Sequence, residues 1–126
     1  MAKILVVDDD TDLVEACRLV LEKEGHVTAS AGNTRDGMKA LKDFSPDLLI
    51  LDVMMEGPDD GIVMAQELRR TGFSKPILMF TSLSKVTGMS YGKDKELVPV
   101  DYFMEKPVDP ETLVKKVEEL LKGKEA

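Results

Sequence analysis

Carboxylates follow two apolar runs of the sequence, and their types suggest a site for a metal ion and a phosphoryl group. Residues 4–7 are followed by Asp8 and Asp9, and residues 48–51 are followed by Asp52. Neighbouring carboxylates raise the cost of ionising one another unless a cation neutralises them. With oxygen ligands and no His or Cys nearby, the pattern favours Mg²⁺ over zinc and leaves positions open for water and a phosphate.

Two further polar groups follow apolar runs. Thr81 comes after residues 77–80, and Lys106 comes shortly after residues 102–104. A hydroxyl, a fixed cation and acids around Mg²⁺ describe a phosphoryl site in which Asp52 can act as a carboxylate nucleophile. Each residue also has an ordinary alternative, namely a helix cap for the aspartates and Thr81 or a solvated surface lysine.

Short apolar runs alternate with helical patterns five times, which predicts an α/β fold with a parallel sheet and helices on both faces. The carboxyl ends of parallel strands lie together, so the polar groups should converge there. The second predicted strand is weaker, because from Val27 onward apolar residues alternate with polar ones, as expected near an edge of the sheet. The second helix should bury Met38. Asp10 or Thr11 should cap the first helix, and Asp109 should cap the final helix. Glycine and proline interrupt the pattern of residues 84–100, which predicts only an irregular or shortened fourth helix there.

Composition limits the classes of protein that fit. The 126 residues suit a single domain over 1–126, with a short tail at about 122–126. A net charge of −7 argues against direct nucleic-acid binding and favours a cation or a partner with a basic face. Cys17 is the single cysteine, so no disulfide framework is expected. The N-terminal apolar run is too short for a signal peptide or a membrane span, and we expect a cytoplasmic protein.

Four segments in this order resemble the receiver domain of two-component response regulators. They are residues 4–10 (ILVVDDD), 47–55 (DLLILDVMM), 81–82 (TS) and 105–107 (EKP). The resemblance covers essentially the whole chain. It implies a doubly wound, flavodoxin-like (βα)₅ fold with a five-stranded parallel sheet in the order 2-1-3-4-5.

The resemblance also implies a role for each matching residue. Asp52 matches the phosphorylated aspartate and Asp9 the direct Mg²⁺ ligand, with Asp8 acting largely through water. The backbone carbonyl of Met54 would complete the protein ligands.

Three other positions match residues that respond to the phosphoryl group. Thr81 matches the hydroxyl that moves to the phosphoryl oxygen, and Lys106 matches the lysine that pairs with the phosphate. Phe103 occupies the switch aromatic position. The implied donor is a sensor histidine kinase or a histidine phosphotransfer protein. The implied protein is a regulatory phosphoacceptor that assists its own phosphorylation and dephosphorylation, not an enzyme, and its downstream protein target is unknown.

The sequence departs from the family pattern beside the site. Glu56 stands where most receivers have a proline, and Gly61 comes one residue late, so the loop between them is longer and more acidic. Met54 and Leu83 would flank the path of an attacking water and cannot orient it, which predicts slow self-dephosphorylation. The sequence shows no output domain after Ala126, so we expect either a regulator that acts alone through protein contacts or an excised domain.

Two alternative functions stay open at this point. A receiver-like interaction module could work without phosphorylation, which the altered loops favour and the intact acids, hydroxyl and lysine oppose. A small Mg²⁺-dependent phosphatase of the haloacid dehalogenase type also uses a strand-end aspartate. Its Asp-x-Asp-x-Thr/Val signature fails here because Asp12 stands in the fifth place.

Overall fold

A computed structural model describes residues 2–57, 59–81 and 100–123 of the chain. Within them, five parallel strands form one sheet in the order β2-β1-β3-β4-β5. The strands are β1 (Lys3–Val7), β2 (Val27–Ala31), β3 (Leu48–Asp52), β4 (Ile77–Thr81) and β5 (Tyr102–Glu105). The helices are α1 (Thr11–Lys23), α2 (Thr34–Phe44), α3 (Asp60–Arg70) and α4 (Pro110–Gly123). The predicted doubly wound fold and its strand order are confirmed.

The three middle strands consist almost entirely of aliphatic and aromatic residues because both of their faces are covered. Every residue of β3 and β4 is buried, as are the last four residues of β1. Continuous apolar runs are what a parallel sheet between two helical layers requires. A carboxylate or hydroxyl at the end of such a run is therefore held at the boundary of the core.

Helices α1 and α4 cover one face of the sheet, and α2 and α3 cover the other. The first core contains Cys17 and Leu21 of α1, together with Leu113 and Val117 of α4. The second core contains four buried residues of α3 and partly buried residues of α2, which are Ile62, Met64, Ala65, Leu68, Ala40, Leu41 and Phe44. Two cores on one sheet fix the strand ends from both sides.

Side-chain caps begin three of the helices. Asp10, Asn33 and Asp109 each accept a hydrogen bond from the backbone N–H three residues further along the chain. Gly25 follows α1 with a φ of +93°, a left-handed conformation that glycine adopts without strain. The predicted caps at Asp10 and Asp109 are confirmed.

The predicted position of β2 near an edge of the sheet is confirmed, and Val27 there is 44% exposed while its neighbour Thr28 is buried. One predicted core residue lies at the surface instead. Met38 is 37% exposed, because α2 turns Gly37 towards the sheet, where it approaches the methyl groups of Val7. The predicted fourth helix at residues 84–100 falls almost wholly outside the described residues.

Candidate functional site

The strand register brings the predicted acids to one end of the sheet. Val7 of β1 lies beside Leu51 of β3, so Asp8 and Asp52 extend from neighbouring positions. One carboxylate oxygen each of Asp8, Asp9 and Asp52 lie within 4.8 Å of one another. We call these three residues the acid cluster. The end of the sheet that carries it is the carboxyl end, and the opposite end is the amino end.

The three acids are exposed to different degrees. Asp8 continues the sheet by one residue, because its N–H donates to Ala31 O at 3.0 Å. Its side chain therefore points inward and is fully buried, and Oδ1 accepts a hydrogen bond from the Asp10 N–H at 2.9 Å. Asp52 is 4% exposed, while Asp9 lies at the surface. The cluster is thus a half-open pocket with two acids in its floor and one at its rim.

Lys106 provides the cation that the sequence predicts. Its N–H donates to Thr81 O at 2.8 Å, which fixes the backbone where β5 ends. Its Nζ lies 3.2 Å from Asp8 Oδ2 and 3.3 Å from Asp52 Oδ1. The Lys106–Pro107 peptide bond is cis. One ammonium group therefore balances part of the charge of two buried carboxylates.

Two buried oxygen atoms of the site accept or donate no hydrogen bond among the described residues. They are Thr81 Oγ1 and Asp8 Oδ2. Asp8 Oδ2 is 3.2 Å from Lys106 Nζ, so its compensation is an ion pair with the lysine. Buried polar atoms without partners are rare in folded proteins and call for an explanation. Here they are where a ligand with complementary groups would be stabilised.

The pKa values of the site show that its negative charges are only partly compensated. Burial, followed by the negative charge of Asp8, raises the pKa of Asp52 from 3.8 to about 6. Burial also raises the pKa of Asp8, although Asp10 and Lys106 act in the opposite direction. Burial of Lys106 alone would lower its pKa, but the two carboxylates outweigh that effect and raise it. Among the described residues, the site thus holds more negative charge than Lys106 neutralises.

The two remaining predicted residues flank the site. Met54, two residues after Asp52, is partly buried and packs against the second core. Phe103 lies in β5 beside Met79 of β4 and is also partly buried against that core. The structure therefore brings Asp8, Asp9, Asp52 and Lys106 into contact distance, with Thr81 at the same end of the sheet.

Gly61 is a residue whose importance the sequence alone did not reveal. It is buried near the start of α3, and its N–H donates to Val53 O at 2.8 Å. A Cβ atom added to it would lie 1.9 Å from the backbone oxygen of Asp52. Its sequence signal is a glycine directly after the acidic loop, one position later than the family spacing.

The acid cluster fits a hard divalent cation. Its donors are one carboxylate oxygen each of Asp8, Asp9 and Asp52, which lie within 4.8 Å of one another. Asp8 Oδ2 accepts no hydrogen bond among the described residues. Mg²⁺ takes oxygen ligands, usually through a few carboxylates, and keeps several waters. The donor set and its uncompensated charge are therefore compatible with the predicted metal.

The fold and site define a class of protein, and the family comparison agrees with it. The sequence model of the family described as the response regulator receiver domain matches residues 4–118 of the chain. The chain therefore belongs to the response regulator receiver domain family, as the sequence motifs predicted. It is a receiver of two-component signal transduction, and domains of this kind are regulatory and generally bind Mg²⁺ at an acidic pocket.

Individual relatives support the assignment. The alkaline phosphatase synthesis transcriptional regulatory protein PhoP of Bacillus subtilis is 35% identical over 127 residues, covering 98% of this chain and 50% of PhoP. The DNA-binding response regulator MtrA of Mycobacterium tuberculosis is 38% identical over 119 residues, covering 91% of this chain and 48% of MtrA. The chain thus spans about half the length of these curated relatives.

A solved structure supports the fold. The receiver domain of the Francisella response regulator 1452 superimposes with a TM-score of 0.84 at 23% identity, covering 98% of this chain and 99% of that one. Among the described helices, none is long and apolar enough to cross a membrane.

Proposed function

We propose that Asp52 is the phosphoacceptor of this receiver domain and that its donor is a sensor histidine kinase or a histidine phosphotransfer protein. One observation carries the proposal, namely a buried Asp52 carboxylate 3.3 Å from Lys106 Nζ and beside two further acids. With its pKa raised to about 6, Asp52 is still mostly ionised at neutral pH and can act as a nucleophile.

Asp8, Asp9, Asp52 and the backbone carbonyl of Met54 are the proposed Mg²⁺ ligands, with Asp8 acting largely through water. When bound, Mg²⁺ neutralises negative charge on the phosphoryl oxygens and on the acids. Asp8 Oδ2 supports this assignment, because it is buried and has only the ion pair with Lys106, so a metal-bound water could still donate to it.

The transfer step needs little covalent chemistry from the protein. A carboxylate oxygen of Asp52 forms a bond to phosphorus while the phosphorus–nitrogen bond of the donor phosphohistidine breaks, and the imidazole nitrogen keeps the electron pair. Negative charge spreads over the phosphoryl oxygens during this step. The backbone N–H of Lys106 donates a hydrogen bond to Thr81 O, which fixes the start of this side chain. The Lys106 ammonium group would then stabilise that charge.

Phosphorylation would then change the conformation near β4 and β5. A phosphoryl group brings about −1.5 to −2 charges and new acceptor oxygens. The Thr81 hydroxyl, which has no hydrogen-bond partner among the described residues, would donate to one of these oxygens. In the proposed switch, movement of Thr81 gives Phe103 space to turn, which alters a protein-binding face for the unknown downstream target.

Three finer features stay proposals. Slow self-dephosphorylation follows from Met54 and from Leu83, which lies outside the described residues. The absence of direct nucleic-acid binding and of enzymatic turnover are expectations from the sequence. MtrA is by its name a DNA-binding regulator, but this chain spans only about half of it.

The proposal is tested with acetyl phosphate and Mg²⁺, measured by intact mass. The wild-type protein should gain one phosphoryl group, and Asp52→Asn should gain none. Asp47→Asn is the matched control, because Asp47 is an aspartate at the amino end of the sheet, where it accepts from the Lys3 N–H at 2.9 Å. It should be phosphorylated as the wild type is.

Other outcomes would point to other functions. Modification of neither wild type nor Asp52→Asn would favour an interaction module that works without phosphorylation. Sustained turnover of a generic phosphate ester would favour the phosphatase. Loss of phosphoryl uptake when a chelator replaces Mg²⁺ would support the metal assignment.

A further inference from the structure

Gly61 makes an unusually close contact with the strand that carries the proposed phosphoacceptor. Its added Cβ would lie 1.9 Å from the Asp52 carbonyl oxygen, 2.7 Å from the Asp52 carbonyl carbon and 2.9 Å from Val53 Cα. Real Cβ atoms essentially never approach other heavy atoms closer than 3.0 Å. All three neighbours are backbone atoms, so no side chain can rotate away to make room.

Neither partner in this contact can move freely. The end of β3 is bonded on both sides, because Val53 N–H donates to Phe80 O at 3.0 Å while Val53 O accepts from the Gly61 N–H at 2.8 Å. On the other side of the contact, Ile62, Ala65 and Leu68 bury α3 in the second core. The helix and the strand end are therefore locked together at the residue without a side chain.

We propose that Gly61 is a positioning residue for phosphoryl transfer. Its missing side chain lets α3 lie directly on the Asp52–Val53 backbone, and this contact fixes the acceptor carboxylate relative to Asp8 and Lys106. The inference rests on the proposed role of Asp52. It also concerns the metal, because the proposed carbonyl ligand Met54 follows directly after Val53.

The size of the disturbance predicts the size of the effect. An ordinary Cβ contact begins at 3.4 Å, so an alanine here requires a shift of roughly 1.5 Å between α3 and the strand end. A misplacement of about 1 Å in a reacting group can lower a rate about 100-fold. Disturbing the support of a metal ligand typically weakens metal binding about 10- to 100-fold.

The experiment compares Gly61→Ala with two controls. Gly57→Ala makes the same substitution in the loop that precedes α3, but its Cβ meets the Asp60 carboxylate, which is the end of a side chain and not backbone. Leu68→Ala truncates a buried residue of α3 seven positions beyond Gly61, so it should lower the unfolding midpoint while the contact of Gly61 with Asp52 remains. The readouts are the rate of phosphoryl uptake from acetyl phosphate, Mg²⁺ binding by calorimetry without phosphoryl donor, and the unfolding midpoint.

We expect Gly61→Ala to lower the uptake rate about 100-fold and to weaken Mg²⁺ binding about 10-fold at a temperature where it is folded. The controls should stay within about 3-fold of wild type, even where Leu68→Ala is as unstable as Gly61→Ala. Uptake and Mg²⁺ binding by Gly61→Ala that match Leu68→Ala would overturn the proposal, since α3 rather than Asp52 would then have moved. If Gly61→Ala does not fold, all variants are compared in sucrose, an osmolyte that is excluded from the protein surface and so favours the folded state. Failure of the wild type to accept a phosphoryl group would instead refute the proposed function.

Discussion

The two ends of the β-sheet treat buried polar groups in opposite ways. At the amino end, side chains satisfy the backbone where strands begin. Asp101 Oδ2 accepts from the Ile77 N–H at 2.8 Å and from Arg69 Nη2 at 2.9 Å. His26 Nδ1 accepts from the Ala2 N–H at 3.1 Å. Both of these acceptors have backbone donors, so they stabilise the folded chain where its strands begin.

At the carboxyl end, the same fold leaves Asp8 Oδ2 and Thr81 Oγ1 without hydrogen bonds among the described residues. Two buried carboxylates share a single ammonium group. Proteins that violate local rules of polar pairing do so mainly at functional sites. At the amino end, the side chains of Asp101 and His26 find their partners within the protein. At the carboxyl end, two buried oxygen atoms lack hydrogen bonds that a bound ligand could supply.

The largest stability effect that tests this comparison comes from Asp52→Asn without metal. Folding raises the pKa of Asp52 from 3.8 to about 6, so the folded chain holds this proton more tightly than the unfolded chain does. The contribution of this proton to the free energy of unfolding is fully present below pH 3.8 and is lost as the pH rises through about 6. Asparagine cannot ionise, so the free energy of unfolding of the variant should exceed that of wild type by a margin that grows by about 2 kcal/mol between about pH 4.5 and about pH 7.5.

Urea unfolding in a chelator at both pH values measures this margin. Asp47→Asn, at the amino end, is the control for a change from aspartate to asparagine. A margin for Asp52→Asn that is constant with pH would contradict the charge imbalance described for the carboxyl end.

The next effect concerns the amino end. Asp101→Ala removes the acceptor of the buried Ile77 N–H and one partner of Arg69, so we expect a loss of roughly 2 kcal/mol in the free energy of unfolding. Phosphoryl uptake should stay at the wild-type rate. Asp101→Asn keeps an acceptor and should lose clearly less. Equal losses for both variants, measured by urea unfolding, would show that the carboxylate acts by charge and not as a backbone acceptor.

The smallest effect is expected at Glu118. His26 Nδ1 accepts from Ala2, so the ring proton is on Nε2 and donates to Glu118 Oε2 at 2.8 Å. Glutamine keeps an acceptor at this position, and the Glu118 side chain is 42% exposed, so Glu118→Gln should change stability by less than about 0.5 kcal/mol. A loss of more than about 1 kcal/mol in the same unfolding assay would show that the charge of Glu118 matters.

The acid cluster and Lys106 could be predicted because they follow apolar runs, and parallel strands bring such ends together. The electrostatic reasoning needed only residue types and strand order. Thr81 followed from the same argument. The sequence also predicted that Asp10 caps a helix, since a short carboxylate just before an apolar periodic segment has an evident backbone donor to bind.

Other features depend on packing distances that periodicity does not contain. Periodicity predicts Met38 in the core with the apolar residues of α2, but Gly37 lets the helix approach Val7 and Met38 is 37% exposed. Periodicity also does not show that the edge strand buries Thr28, whose hydroxyl accepts from Arg18 Nε at 2.9 Å. The contact of Gly61 with Asp52 depends on how the acidic loop returns to the sheet, which no residue pattern states.

The buried Cys17 gives these comparisons a convenient measurement. The chain has no tryptophan, so unfolding offers little intrinsic fluorescence change. Cys17 is 2% exposed in the first core, and burial, followed by the nearby negative charge of Asp8, raises the pKa of its thiol to about 12. A thiol held protonated and out of reach reacts with alkylating reagents only after the chain opens. The rate at which an alkylating reagent labels this single thiol, followed by mass, would therefore report the opening of the first core in every variant without an engineered reporter residue.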